Sequence, residues 1–449
     1  MFAGLMNWWR SGSSRAAAHP AERAPRTVTT RSPAHSAPPL QPWRLVRRRP
    51  LIGHYGAIAG WDLQLPAATA ERIARPGSPH SVRDAHQFAL VHAARAIAQS
   101  GRTVLLAAPA PMIIDTGFLA ALPPQTILRL GAEHQMAFGT HFARVADGLI
   151  RRGLRVAAAE NVPGAIGLLD GTQYADRAAL LAAADALSPL RRARVAINLM
   201  SVEDLSAMLT AGFTWCCGAH QRSAEGPRKT QMSAPMASAA AALAAVVAGK
   251  PMRELAQLFK SDPTLSFRLL RTVNSTAFGL SRPAESIQDA LTLLGTRELY
   301  RWLTLMLVAA DADRPLAPAL FETALARARL CELLGAERGT EPPEALFVTG
   351  AFSLLDVLLD VPLEVPLASA RLSDNAVEAL IAARGPWRPY LDAALAAEYA
   401  DVDGIDRAAA DLGLAPDRIA ELSEDAAAWA HEAARALVER PPRRAAVAV

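Results

Sequence analysis

At 449 residues, 51% hydrophobic and 20% charged, the chain is long enough for two or three domains with cores of their own. The formal net charge of +4 comes from one end: residues 1–50 hold nine Arg against the single acid Glu22, a net of +8, which leaves residues 51–449 at −4. A mildly acidic body argues against nucleic-acid binding, and Cys216, Cys217 and Cys331 are too few and too badly spaced for a disulfide framework, which fits a reducing cytoplasm.

No stretch approaches the roughly 18 uninterrupted apolar residues of a membrane span. Residues 1–42, rich in Pro, Arg, Ser and Ala, lack the apolar core of a secretory signal and read as a disordered basic arm. From 43 to 222 short apolar runs alternate with helical patterns. "TVLLAA" (103–108), "TILRL" (126–130), "LRVAAAE" (154–160) and "RVAINL" (194–199) are strand-like. "HSVRDAHQFALVHAARAIAQSG" and "EHQMAFGTHFARVADGLIRRG" are helical and stop at Gly101 and Gly153. Strands alternating with helices imply a parallel sheet covered by helices, an α/β architecture such as a (β/α) barrel. Some 180 residues is short for eight strand–helix units, so the length leaves open whether the barrel closes.

Residues 223–235, polar and broken by Gly and Pro, read as a linker, and 236–437 as an all-α domain followed by a disordered tail at 438–449. "PMRELAQLFKSD" places Leu255, Leu258 and Phe259 on one face; Asp262 before Pro263 caps the next helix, striped by Leu265, Leu269, Leu270 and Val273. Ser286 caps another, with Ile287, Leu291 and Leu294 inward and Gly295 as its stop. Thr296 restarts a helix carrying Leu299, Trp302, Leu303 and Met306.

"DPTLSFRLLRTVNSTAFGLSRPAESIQDALTLLGTREL" resembles the HDOD domain, a degenerate relative of the HD metal-dependent phosphohydrolases. The match is carried by Asn274-Ser275, Phe278, Ile287, Ala290 and Leu293-Leu294-Gly295, and continues through "ALARARLCELLG", "ALFVTGAFSLLDVLL" and "AVEALIAARG". It is most similar to the version that follows an EAL-like domain in bacterial signalling proteins. An EAL domain is a (β/α) barrel that hydrolyses cyclic di-GMP with metal-held water. That resemblance puts Asp62 of "GWDLQL" at the name-giving Glu and leaves Glu160 as a second carboxylate. The other metal and substrate positions are substituted, by Ala107, Arg129, Ala159, Ala196, Asn198 and Cys217.

A two-metal phosphodiesterase needs several oxygen ligands converging on hard cations, and a permanent guanidinium at Arg129 works against them. HD hydrolases need histidines, yet none lies between His220 and His431; Ser353 stands where the resemblance expects the metal histidine, with Asp356 after it. His134 and His141, seven apart on one predicted helix, are read as solvated polar residues rather than ligands, and Cys216 and Cys217 as buried strand residues. The twelve-residue link "STAFGLSRPAES" is too long for a DNA-reading helix-turn-helix. Asn274 and Ser275 are expected to bond backbone groups freed at a helix end.

The resemblance therefore implies a non-catalytic bacterial signal-transduction protein without cofactor or metal, acting through protein partners of both domains. The alternatives are a surviving cyclic di-GMP phosphodiesterase using Asp62 and Glu160, or a non-hydrolysing receptor, with the nucleotide the less favoured ligand.

Overall fold

The computed structural model describes residues 46–438 except 76, 160–161, 188–192, 222–228, 275–283, 309–315, 341–342, 371 and 400. The predicted arm, the tail beyond Val438, Glu160, Ser275, Phe278 and residues 223–228 of the predicted linker lie outside the described residues.

Eight strands close into a barrel in sequence order, so the length is sufficient. They are β1 (Arg47–Gly53), β2 (Ile58–Gln64), β3 (Thr103–Leu106), β4 (Thr126–Leu130), β5 (Arg155–Ala158), β6 (Ile166–Asp170), β7 (Arg194–Leu199) and β8 (Trp215–Gly218). Strands β2 to β8 are parallel, whereas β1 runs antiparallel to both its neighbours, β2 and β8. Two economies fit the barrel into so short a chain. The β1–β2 link is a tight hairpin that needs no crossover helix, and only residues 159–165 separate β5 from β6.

The barrel helices are α1 (Ala67–Ala74), α2 (His80–Gln99), α3 (Ala110–Ile113), α4 (Thr116–Ala121), α5 (Ala132–Phe138), α6 (Phe142–Arg151), α7 (Arg177–Leu187) and α8 (Val202–Thr210). Helix α2 stops as expected, with Gly101 at φ 75°. The second predicted helix is two: α5 ends at Gly139, whose φ of 50° and ψ of −128° are not helical, and α6 begins after a short 3-10 turn. Strand side chains alternate in direction. Leu51, Leu105, Ile127, Ala157, Leu168, Ile197 and Cys217 fill the barrel. Outward-facing Leu63, Val104, Leu106, Leu128 and Val156 pack beneath α2 to α6.

The remaining helices form one bundle: α9 (Ala234–Val247), α10 (Met252–Ser261), α11 (Pro263–Val273), α12 (Ile287–Val308), α13 (Ala317–Arg338), α14 (Pro343–Phe352), α15 (Leu355–Leu359), α16 (Glu364–Ala370), α17 (Asp374–Leu380), α18 (Arg388–Tyr399), α19 (Val402–Leu412) and α20 (Pro416–Val438). The capping grammar holds: Asp262 accepts from Leu265 N at 2.9 Å and Ser286 Oγ from Asp289 N at 3.0 Å. Leu255 and Phe259 are buried as expected, but Leu258 is 36% exposed and Ala256 takes its place in the core. Gly295, at φ 73° and ψ 165°, interrupts α12, and the helix resumes at Thr296.

The two units share a core. Ile52 and Ile58 on the outer face of the β1–β2 hairpin belong to the same apolar cluster as Leu320, Ala324 and Phe352 of the bundle. With no crossover helix of its own, that flank of the barrel is covered by α13 and α18 instead. The seam is also polar. Ala319 N donates to Gly56 O at 2.9 Å, Arg48 pairs with Glu424 at 3.1 Å, and buried Glu322 receives Arg102, which also donates to His431.

Candidate functional site

Because β1 is antiparallel, its first residues lie at the mouth formed by the C-terminal ends of β2 to β8, the end at which such barrels carry their chemistry. Arg49 thereby faces Asp62 across the β1–β2 ladder. The Asp62 side chain is fully buried, and one oxygen is crowded with donors. Oδ2 accepts from Arg49 Nη2 at 2.6 Å and Nε at 3.2 Å and from Gln64 Nε2 at 2.8 Å, with Arg129 Nη1 at 3.9 Å. Arg49 Nη1 donates to Asn198 Oδ1 at 2.6 Å, and Asn198 Nδ2 donates to Asp170 Oδ1 at 2.9 Å. A hydrogen-bonded chain thus crosses the mouth from β2 through β1 and β7 to β6. Cys217 Sγ lies 3.9 Å from Asp62 Oδ2, and burial pushes its thiol up to about 12, so it stays protonated and is no thiolate ligand at neutral pH.

Asn198 reaches this layer by a backbone irregularity. Its φ is 55°, a left-handed conformation that asparagine tolerates better than most residues, and the β7–β8 register shifts between Ala196 and Leu199. Ala196 is not at the mouth. It faces outward into the core shared with the bundle, beside Cys216, because alternation along β7 sends Val195 and Ile197 inward. Ala107 and Ala159 bring methyl groups, not oxygens. Arg49, Gln64 and Asp170 escaped the sequence reading, although Arg49 stands two residues before inward Leu51 and Asp170 two after inward Leu168.

These residues do not fit a two-metal centre. The Asp62 carboxylate is tied to a guanidinium, a second guanidinium stands beside it, and a divalent ion about 4 Å from one such charge is repelled by roughly 8 kcal/mol at an effective dielectric near 20. Among the described residues no three His, Cys, Asp or Glu side chains gather as a ligand set. His134 is buried: its Nδ1 accepts from Gly131 N at 3.2 Å, which leaves Nε2 to donate to Ala108 O at 2.8 Å. Both ring nitrogens are used, and His141 lies beyond the helix break, exposed.

In the bundle, Ser353 Oγ donates to Gly350 O at 2.7 Å and accepts from Arg327 Nη1 at 2.9 Å. Arg327 is buried and bidentate with Glu398, at 2.6 and 3.2 Å. Gln221, just past β8, donates to the same carboxylate, and Tyr399 donates back to Gln221 at 3.1 Å. Next to it, Thr323 Oγ1 donates to Ala319 O at 2.9 Å and so accepts from His220 Nε2 at 3.0 Å. Burial holds the His220 ring down to about 4, neutral at physiological pH. The position where a metal histidine was sought is thus part of an ion-paired seam between the units.

Asp356 sits in the first turn of α15, where a negative charge suits the helix dipole. Asn274 bonds backbone as expected, but not at its own helix end. It clamps Ala284, donating to its O at 3.0 Å and accepting from its N at 2.6 Å.

A match to the family described as "HDOD domain" covers residues 237–357. The chain carries an HDOD domain. Ahead of it stands the closed eight-stranded barrel, the architecture that the resemblance to EAL-like domains implies. It is 29% identical over 144 residues to the uncharacterized protein YuxH of Bacillus subtilis, covering 31% of this chain and 35% of that one. It is 29% identical over 177 residues to the cyclic di-GMP phosphodiesterase CdgJ of Vibrio cholerae, covering 39% and 41%. The chain therefore matches well under half the length of these relatives. Among solved structures it is similar to the FimX EAL domain from Pseudomonas aeruginosa bound to c-di-GMP (TM-score 0.29, 14% identity, 39% of this chain and 88% of that one). It is also similar to the PaMucR phosphodiesterase in its c-di-GMP complex (TM-score 0.30, 13% identity, 39% and 89%).

Proposed function

We propose that this EAL-like plus HDOD protein is a non-catalytic element of cyclic-di-GMP signalling that works by docking protein partners. The observation that supports this reading is the Arg49–Asp62 pair with Arg129 beside it: protein cations occupy the place in which a phosphodiesterase would gather metal ions. In the HDOD unit the Arg327–Glu398 pair at Ser353 plays the same part. Purified full-length protein with Mg²⁺ or Mn²⁺ is expected to leave cyclic di-GMP intact; turnover lost in Asp62→Ala would overturn the reading.

A second reading keeps the barrel as a receptor that binds the nucleotide without cutting it. It is favoured by Arg129, which is buried with Nε lacking any hydrogen-bond partner, so that the mouth holds an N–H suited to a phosphate oxygen. Calorimetric titration with cyclic di-GMP separates the two readings: saturable heat that disappears in Arg129→Ala supports the receptor, and no heat at high micromolar nucleotide removes it.

A further inference from the structure

The last long helix of the bundle turns one face to the core and a differently built one outward. Ile419, Leu422, Ala426, Trp429 and Ala430 of α20 are buried. Between Pro416 and Glu432 the exposed positions are Glu421, Glu424, Asp425, Ala428 and Glu432, a single helix face on which four of five side chains are carboxylates. Acids three and four residues apart on a helix repel one another. Exposed Asp403 and Asp411 of α19, which packs against α20, add to the same sign. Residues 401–432 hold nine acids against Arg407 and Arg418, a net of −7.

A guanidinium from the barrel already rests on this face. Arg48 Nη2 donates to Glu424 Oε1 at 3.1 Å, and Arg48 stands two residues after Val46, where the described chain begins. Followed backwards, β1 runs to the mouth end of the barrel. Helix α20 has Glu424 at that end and His431 at the other, beside Arg102 at the start of β3. The strand therefore points toward the first turns of α20 and Glu421. Arg44 is four residues ahead of Arg48, a reach of up to about 14 Å, whereas Glu421 is only about 4.5 Å along the helix from Glu424. Residues 23–45 carry Arg23, Arg26, Arg31 and Arg44 and no acid. A basic segment is thus tethered at the edge of an acidic face. Exposed ion pairs are weak singly, but on a tethered segment every contact after the first is intramolecular, and they reinforce one another.

We propose that residues 23–45 dock in cis along the outer face of α20 and the neighbouring surface of α19, with Arg44 following Arg48 onto the carboxylates and Arg31, Arg26 and Arg23 beyond it. The contact straps the start of the barrel to the end of the bundle, and it stands whether or not the barrel mouth binds a nucleotide.

Tryptic cleavage after Arg26 and Arg31 in full-length protein, followed by mass spectrometry and normalised to a free peptide of residues 20–45, tests it. At about 50 mM salt the wild-type arm is expected to be cut about fivefold more slowly than the peptide, and at about 1 M salt, where screening is nearly complete, at the same rate. Reversing the face with Glu421→Lys, Glu424→Lys and Asp425→Lys together should abolish the protection at low salt. Should that protein not fold, Glu421→Gln, Glu424→Gln and Asp425→Asn together decide instead, with the same expected loss. A wild-type arm cut as fast as the peptide overturns the docking, and protection that survives the altered face or high salt overturns the site. Protection that fades on hundredfold dilution of the protein assigns the arm to a second copy and overturns the cis arrangement.

Discussion

A carboxylate buried at the mouth of a barrel must be neutralised by something, and Asp62 is neutralised by protein. Arg49 holds it with two N–H groups and Gln64 with a third. Removing one partner of a buried pair leaves an uncompensated charge, which costs about 3–5 kcal/mol. Arg49→Met is therefore expected to lower stability in urea unfolding by about 3 kcal/mol, and an unchanged midpoint would show that Asp62 does not depend on it. His220 makes a different prediction. Burial favours its neutral ring, so its contribution is complete above its ordinary pKa near 6.5 and is lost as pH falls from there toward 4. The loss amounts to about 3 kcal/mol at roughly 1.4 kcal/mol per tenfold change in proton affinity. His220→Gln, which can still donate to Thr323, should flatten the difference in stability between pH 7.5 and pH 4.5 relative to wild type.

At the scale of elements, local rules carry far. Asp262, Ser286 and Gly295 act as written because a cap or a stop is decided by the few residues around it. Gly295 lies in a backbone region that only glycine enters readily, yet an added Cβ would meet nothing within 4 Å. Gly295→Ala should thus cost about 1–3 kcal/mol from conformation alone, read as a lower unfolding midpoint with unchanged helix content. What sequence could not supply is whatever depends on partners distant in the chain. Strand β1 was hidden because its Arg run looks like solvated tail until antiparallel pairing brings Arg49 over Asp62. Leu258 fits the apolar stripe yet is 36% exposed, because burial depends on which elements pack against that face. The resemblance placed Ala196 and Asn198 together at the mouth, but alternation turns Ala196 outward and Asn198 reaches the mouth only through its left-handed backbone. Strands β3, β4, β5 and β7, each an apolar run bounded by turn residues, were legible without help.

For the whole molecule, the decisive feature is that barrel and bundle share one apolar cluster across the bare flank of β1 and β2. Burial of apolar surface is worth about 25 cal/mol per Å², so exposing that flank removes a large part of what holds the barrel together. A barrel fragment spanning 46–221 is expected to aggregate or to lose cooperative unfolding, as followed by size-exclusion chromatography and near-ultraviolet circular dichroism. A monomeric fragment with a sharp transition would refute this. The residues that tie the seam, Arg102 to Glu322 and Gln221 to Glu398, come from both units, so neither can turn freely on the other.

A hairpin in place of a crossover also limits how such a gene can be recombined. An exchange that brings in a foreign barrel at the polar junction must also import the faces of α13 and α18 that serve as its missing outer wall. The breakpoint that looks natural on paper would cut through the middle of a single folding unit.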